Sequence, residues 1–271
     1  MAGQFISFLT DFGDNTAPAV CRGVIWSILP DARINDLTHA ARQFAIRDGA
    51  FLLWSAIPYL PVGVHLAVVD PGVGTDRRPV AIQSGRGDRF VGPDNGLLVP
   101  AAERTGGIVA AHVLENRRLW RETVSRTFHA RDIFAPVAAH LAAGTQTGEV
   151  GPAIDPATLV SPAFPEARAH EGGLETSVLF IDAFGNCRLA GGPHDLAALR
   201  GDLAPGDRFR VRIGAEVRTV EWQPTFGAVA PGEPLLYDDA DYAGLALGVN
   251  QGSAAERLGL EHDTAIRIEP A

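Results

Sequence analysis

The stretch Val64-His65-Leu66-Ala67-Val68-Val69 is almost entirely apolar, and Asp70-Pro71-Gly72-Val73-Gly74 follows it directly. An apolar run of this length that stops at a turn rich in Gly and Pro predicts a fully buried β-strand. Ligands bind at the carboxyl ends of the strands in open α/β sheets, so the loop after such a strand is a candidate site. The stretch therefore predicts an α/β fold and makes Asp70 the first candidate functional residue.

The residues around this strand alternate between apolar runs and helical patterns. Strands separated by helices predict a mostly parallel sheet flanked by helices. The predicted elements are strands at Phe5–Leu9 and Ile34–Leu37, helices at Pro18–Leu29 and Ile46–Ile57, and a strand pair at Pro79–Ser84 and Arg89–Val91.

Residues Ala50–Val69 lack Asp, Glu, Lys and Arg and are long enough to span a bilayer. Pro58, Pro61 and Gly63 interrupt this segment, however. The interruptions favour a helix, a turn and a buried strand, and no membrane association is expected.

The pattern changes after residue 160. Four prolines between residues 151 and 173 predict a linker at 161–173. Beyond it, Arg208–Ile213 and Glu216–Trp222 alternate between polar and apolar residues, and the intervening Gly214-Ala215 is typical of a two-residue hairpin turn. The chain is therefore predicted to have an N-terminal α/β domain at 1–160 and an all-β domain, a small barrel or a sandwich, at 174–271.

The chain of 271 residues contains no lysine, and all of the 23 residues counted as Lys or Arg are arginine. A Walker-A phosphate loop, a pyridoxal Schiff base and a kinase ATP site all need lysine and are excluded. The net charge of −9 argues against a nucleic-acid partner, since phosphate binding needs a basic face. The two cysteines are far apart, the N-terminal region has no basic segment, and the histidines lack metal-ligand spacing. A cytoplasmic protein without a bound metal is expected.

Three loops rich in Asp, Asn, Gly and Pro follow predicted strands, at Thr10–Asp14, Asp70–Gly74 and Gly92–Gly96. The third contains Asp94 and Asn95 and is predicted to open a helix. Each loop alone is more often an ordinary turn, but three at strand ends favour a site. No Gly or Ala follows three residues after Gly74, so a Rossmann dinucleotide site is disfavoured.

Thr127–Asp132 carries His129 just before an apolar helical run at Ile133–Leu141. A lone histidine is more often structural. Together with Asp70 and Arg77, however, it would form a carboxylate–guanidinium–imidazole group that can orient and deprotonate water.

In the second domain, Asp182, Phe184 and Asn186 follow a predicted strand. An adenosine-like ligand needs such groups: an aromatic face for the base, an amide for its edge, and a carboxylate for a diol or an ammonium. Gly248–Ala255 includes Asn250 and Gln251 and is predicted as a strand end that leads into a short helix.

Taken in order, these segments resemble the S-adenosyl-L-methionine hydrolases (adenosine-forming), also called S-adenosylmethionine hydroxide adenosyltransferases, which are related to the fluorinase and chlorinase. Each matching stretch is weak alone, but seven in the same order are specific and extend over nearly the whole chain. They are LTDFG at Leu9–Gly13, DLTH at Asp36–His39, VVDPGVGTDRR at Val68–Arg78, GPDNGLL at Gly92–Leu98, TFHARDIFAPVAAHLA at Thr127–Ala142, IDAFGN at Ile181–Asn186 and VNQGSAAERLG at Val249–Gly259.

The resemblance implies an N-terminal α/β domain, a C-terminal β-barrel, and a homotrimer with active sites between subunits. It implies S-adenosyl-L-methionine as substrate, adenosine as product and no cofactor, with a water-activating triad at Asp70, Arg77 and His129. Asp11 would bind the ribose diol, and Asp182 the methionine amino group. The remaining implied substrate contacts are Trp54, Phe184, Asn186, Phe226, Asn250 and Gln251, with Asp94 and Asn95 from the third loop.

Two departures from the family pattern bear on the substrate. Ala130 stands where the family has Gly after the triad histidine, which would crowd the nucleophile pocket. Asp241-Tyr242-Ala243 stands where the family has Ser-aromatic-Gly near the methionine carboxylate, which Asp241 would repel. Two alternatives stay open: a halide-using 5′-halo-5′-deoxyadenosine synthase, which the triad disfavours because a halide needs no deprotonation, and a catalytically silent adenosine-binding protein.

Overall fold

The computed structural model of the chain describes residues 4–170, 172–239 and 244–271. The chain divides into two compact units, Met1–Pro162 and Ala163–Ala271.

A mixed seven-stranded sheet forms the N-terminal unit. Its strands are β1 (Phe5–Thr10), β2 (Arg33–Thr38), β3 (Val64–Val68), β4 (Pro79–Ser84), β5 (Arg89–Pro93), β6 (Ile108–Val113) and β7 (Ala153–Ile154), in the spatial order β2-β1-β3-β5-β4-β6-β7. In this spatial order, the first four strands (β2, β1, β3 and β5) are parallel, and the three remaining neighbour pairs are antiparallel. The predicted α/β architecture is confirmed, with parallel pairing confined to one half of the sheet.

Four helices accompany this sheet. They are α1 (Ala17–Ile28), α2 (Ile46–Ala56), α3 (Val99–Arg104) and α4 (Ala135–Ala142), and a π-helical turn at Ala130–Phe134 precedes α4. Alternate residues of β1 and β3, such as Phe8 and Leu66, share one apolar cluster with α1 and α4. All five residues of β3 are buried, which explains the unbroken apolar run that predicted it.

The loop Gly92–Gly96 does not open a helix directly, contrary to the prediction. Gly92 and Pro93 belong to β5, and α3 begins at Val99. The backbone N–H of Leu97 donates to the Asn95 side chain at 3.2 Å. This local bond holds the chain in a turn before the helix begins.

A closed seven-stranded barrel forms the C-terminal unit, and this resolves the open alternative in favour of a barrel. Its strands are β9 (Gly173–Ile181), β10 (Cys187–Leu189), β11 (Arg208–Ile213), β12 (Glu216–Trp222), β13 (Pro234–Asp239), β14 (Gly244–Val249) and β15 (Ala265–Pro270). They follow the order β10-β14-β13-β12-β11-β15-β9, and the β9–β10 pairing closes the ring. The described residues of this unit also include two short helices, α5 (Pro193–Ala197) and α6 (Ala254–Leu258).

The predicted hairpin occurs at the predicted residues, with Ile213 paired to Glu216 around Gly214-Ala215. The range 161–173 contains β8 (Arg168–His170), which pairs with β9. Among the residues that the structure describes, no helix is both long and apolar enough to cross a membrane.

Candidate active site

The parallel register of β1 and β3 brings two candidate carboxylates to one edge of the sheet. Thr10 pairs with Val68, so Asp11 and Asp70 leave neighbouring strands at the same end. Both acids line a cavity of about 270 Å³ at that end. This is the location that the strand-end pattern predicts for a site in an open α/β sheet.

The guanidinium of Arg77 joins Asp70 to His129, and these two partners, but not Arg77 itself, line the cavity. The Arg77 Nε lies 3.0 Å from both carboxylate oxygens of Asp70, and its Nη2 also donates to Asp70 Oδ2. Nη2 lies 3.0 Å from His129 Nδ1 as well. The structure thus brings together the three residues expected to form a triad, and the side chains of Asp70 and Arg77 are 5% and 10% exposed.

The surroundings of His129 favour its neutral form. Burial and the adjacent charge of Arg77 lower the pKa of His129 below its usual range, although Asp70 and Asp132 act in the opposite direction. An arginine can only donate, so His129 Nδ1 accepts and the ring proton lies on Nε2. The other ring nitrogen, Nε2, can therefore donate a hydrogen bond but cannot accept one.

Two contacts hold the segment that carries His129. The buried Asp132 accepts a hydrogen bond from the backbone N–H of Ser125 at 2.8 Å. Gly74, at φ +77°, packs so closely that a Cβ there would lie 2.4 Å from the carbonyl oxygen of Arg126. The loop that carries Asp70 and Arg77 is therefore in direct backbone contact with the segment before His129.

Phe44 is an aromatic residue of the cavity that sequence reasoning missed. It lines the cavity, is 71% exposed, and has a φ of +63°, unusual for a bulky residue. Its backbone N–H donates to Asp11 Oδ2 at 2.9 Å. Strained residues cluster at ligand sites, but neither the strain nor the contact with Asp11 is visible in the sequence. Phe12 and Phe128 also line the cavity, with ring centroids 6.0 Å apart.

Three candidates of the N-terminal unit have structural partners outside this cavity. Trp54 stacks on Phe51, and the guanidinium carbon of Arg104 lies 3.8 Å from the centre of its ring. Asp94 is paired with Arg78 and accepts the backbone N–H of Val160. The Asn95 side chain donates to the carbonyl of Val69 at 2.9 Å and so holds the chain next to Asp70.

In the C-terminal unit, Asp182 organises the turn that follows β9. Its carboxylate accepts the backbone N–H groups of Phe184 and Asn186 and the Asn186 side-chain amide, each at 2.9 Å. Arg188, which sequence reasoning did not select, is buried and contacts Asp182, Asp239 and the hydroxyl of Tyr237. The ring of Phe184 is 79% exposed.

Phe226 and Asn186 both pack against Gly248. A Cβ at Gly248 would lie 2.6 Å from the Phe226 ring and 3.1 Å from Asn186 Oδ1, so only glycine permits this approach. Asn250 donates to the carbonyl of Val229, and Gln251 has a φ of +56°. Asp241 and Tyr242 lie outside the described residues.

No group of three or more His, Cys, Asp and Glu side chains is arranged to hold a metal ion within residues 4–170, 172–239 and 244–271.

Both units match family models over most of their length. The model of the SAM hydroxide adenosyltransferase N-terminal domain matches residues 6–151, and that of the C-terminal domain matches residues 176–267. The chain belongs to the SAM hydroxide adenosyltransferase family. Each match lies within one of the two structural units.

Three proteins illustrate what the chain is similar to, two of them over nearly its whole length and one over two thirds of it. The chain is 44% identical over 265 residues, 97% of each chain, to a protein from Salinispora tropica named (R)-S-adenosyl-L-methionine hydrolase. It is 30% identical over 207 residues, 67% of this chain and 69% of the other, to a protein from Actinoplanes sp. named fluorinase. A crystal structure of an uncharacterized conserved protein from Thermotoga maritima superimposes with a TM-score of 0.90, at 34% identity, over 97% of this chain and 99% of that one.

Proposed function

We propose that this protein hydrolyses S-adenosyl-L-methionine to adenosine and L-methionine, with water activated by Asp70, Arg77 and His129. The observation that carries the proposal is the hydrogen-bonded Asp70–Arg77–His129 group, of which Asp70 and His129 line the cavity. The similarity to a relative named for this hydrolysis supports it.

The reaction needs help with its nucleophile more than with its leaving group. Water attacks the ribose C5′, the C5′–S bond breaks, and the sulfonium sulfur leaves as the neutral thioether of methionine. The leaving group needs no proton, but water is a poor nucleophile until it loses one. The positive charge of Arg77 favours hydroxide over water in this partly buried site.

We assign the proton-accepting role to Asp70 and a donor role to His129. Asp70 Oδ1 accepts a hydrogen bond from Arg77 Nε. Each carboxylate oxygen has two lone pairs, so the second one at Oδ1 is available to the proton of the water. The Nε2 proton of neutral His129 donates to the oxygen of the nucleophile and fixes its direction of attack. General bases of this kind contribute about 10²–10⁴-fold to rate.

The substrate contacts are proposed on the same basis. Asp11 binds the ribose diol. The rings of Phe12, Phe44 and Phe128 form the apolar walls of the cavity, and Phe44 takes the role of aromatic contact that the resemblance implied for Trp54. Asn186, Phe184 and Phe226 receive the adenine, with Asn250 and Gln251 at its edge, and Asp182 faces the methionine amino group.

Incubation with S-adenosyl-L-methionine in ¹⁸O-water, followed by mass spectrometry, tests the proposal. Adenosine labelled at its 5′ oxygen is expected, and Asp70→Ala should abolish its formation. Formation of a 5′-halo-nucleoside in the presence of chloride would identify a halogenase. Binding of S-adenosyl-L-methionine without turnover would identify a catalytically silent adenosine-binding protein. Either result, or an unchanged rate in Asp70→Ala, would refute the proposal.

We further propose a homotrimer in which each site combines residues of neighbouring subunits. The proposed ligand contacts are divided between the two structural units, and the family resemblance supports this assembly. Sedimentation equilibrium should give a mass of about three chains of 28.7 kDa. A monomer that is fully active at the same concentration would contradict it.

A further inference from the structure

The π-helical turn Ala130–Phe134 is an uncommon element placed directly after His129. π-Helical turns are rare and occur frequently at functional sites. In this turn the backbone N–H of Ala135 donates to the carbonyl of Ala130, five residues earlier. Residues five apart are therefore about one turn apart, and His129 and Phe134 have this spacing.

The turn places His129 and Phe134 on the same side of the helix. In an α-helix, residues five apart would point about 140° away from each other, because each residue turns by about 100°. In the π-turn both reach Arg77. His129 Nδ1 lies 3.0 Å from Arg77 Nη2, and the guanidinium carbon lies 5.0 Å from the centre of the Phe134 ring.

The Phe134 ring supplies a restraint that Asp70 cannot. The bonds to Asp70 fix one edge of the Arg77 guanidinium but leave its plane free to tilt about that edge. A ring over the guanidinium opposes the tilt, and so keeps Nη2 directed at His129. Phe134 is 0% exposed, so neither water nor substrate replaces it.

We infer that Phe134 is a positioning residue for the hydrolysis, which acts by holding Arg77 between Asp70 and His129. The inference rests on the proposed function and adds a residue to it. Phe134 is fully buried and does not line the cavity, so it should affect the rate of the chemical step and leave substrate binding unchanged.

The test compares three variants by kcat and KM for S-adenosyl-L-methionine. Phe134→Leu keeps an apolar side chain but removes the ring, and we expect kcat to fall about tenfold with KM within about twofold. Phe134→Tyr retains the ring and should keep most of kcat. The control is Phe90→Leu, another fully buried phenylalanine, whose ring lies beside His65. An equal fall in kcat in both Leu variants, or a fall in Phe134→Tyr as large as in Phe134→Leu, would overturn the inference.

A second measurement does not depend on turnover. In the wild-type protein, ¹⁵N NMR of His129 should show Nδ1 as a hydrogen-bond acceptor and Nε2 protonated. Phe134→Leu should weaken the Nδ1 signature, while Phe90→Leu leaves it intact. An unchanged His129 spectrum in folded Phe134→Leu would overturn the positioning role. Absence of hydrolysis in the wild-type protein would refute only the proposed function.

Discussion

Arg77 makes His129 a donor in this site. The arginine occupies the imidazole's Nδ1, and its charge disfavours a second proton on the ring. A histidine held in this way stays neutral below the pH at which a free histidine becomes charged. The site should therefore remain competent into mildly acidic conditions.

Replacing Arg77 by glutamine tests this coupling. Burial would still lower the pKa of His129, but the contribution of the Arg77 charge would be lost, so the pKa should rise toward its usual range. NMR titration of the His129 Cε1 proton in both proteins measures the change. If the pKa stayed the same or fell, Arg77 would not be the source of the electrostatic effect.

Phe44 and Trp54 offer a matched pair of aromatic residues. Phe44→Ala removes a ring that lines the cavity and should raise KM for S-adenosyl-L-methionine several-fold. Trp54→Ala removes contacts with Phe51 and Arg104 and should lower the melting temperature with KM unchanged. Steady-state kinetics and thermal unfolding of the two variants separate the roles, and the reverse pattern would restore Trp54 as the aromatic wall.

Contact between two loops sets the geometry of the triad at the scale of elements. The loop after β3 carries Asp70 and Arg77, whereas His129 arrives from the segment before the π-turn. Their backbones meet at Gly74 and Arg126, where no side chain fits. The sequence shows Gly74 as part of a glycine-rich turn, but not which backbone it touches, because that contact joins residues 52 positions apart.

Gly74→Ala should therefore both destabilise the N-terminal unit and reduce kcat. The methyl group meets the Arg126 carbonyl, and a positive φ costs about 1–2 kcal/mol for a residue other than glycine. Gly144→Ala is the control, because Gly144 also has a positive φ but no atom within 4 Å of the added Cβ. Urea unfolding should show destabilisation in both variants, and a larger one in Gly74→Ala because of the clash. Only Gly74→Ala should lower kcat.

A buried polar chain connects β1, β3 and the turn before β5. Ser7 Oγ lies 2.8 Å from His65 Nδ1, and His65 Nε2 lies 2.9 Å from Asp88 Oδ1, with all three residues fully buried. Burial lowers the pKa of His65, so the ring is neutral. Burial alone would raise the pKa of Asp88, but hydrogen bonds from His65 and Arg86 outweigh it and lower the pKa to about 2.

Asp88→Asn should cost about 1–3 kcal/mol of unfolding free energy, because the amide nitrogen cannot accept and leaves the donor of His65 or Arg86 without its acceptor. The Asp88 pKa is depressed in the folded state, so its stabilisation is present above about pH 4 and is lost as the pH falls toward 2. Urea unfolding between pH 7 and 2 should show a weaker acid dependence in Asp88→Asn than in the wild-type protein. The exposed Asp31→Asn serves as control and should change little.

At the scale of the whole molecule, the hydropathy patterns of the sequence predicted most of the architecture. The apolar run of β3 and the alternation of β11 and β12 predicted buried and half-buried strands that the structure contains at almost the same residues. The pairing of β4 with β5 was expected from the sequence and is antiparallel in the structure. The pairings of β6 and β7 and the π-turn were not predictable, because pairing partners and i→i+5 bonds leave no periodicity. The three proposed catalytic residues were selected from the sequence, whereas Phe44 and Phe134 emerge only from packing.

The closure of the barrel depends on its shortest strand. β10 has three residues and pairs with β9 on one side and β14 on the other, so its detachment would open the ring and expose two strand edges to self-association. Cys187 lies in this strand, fully buried, with the pKa of its thiol raised to about 12. In Cys21→Ser it would be the single thiol of the chain. The rate at which a thiol reagent modifies it should report how often the barrel opens, and modification as fast as that of a free thiol would show that this strand does not seal the ring.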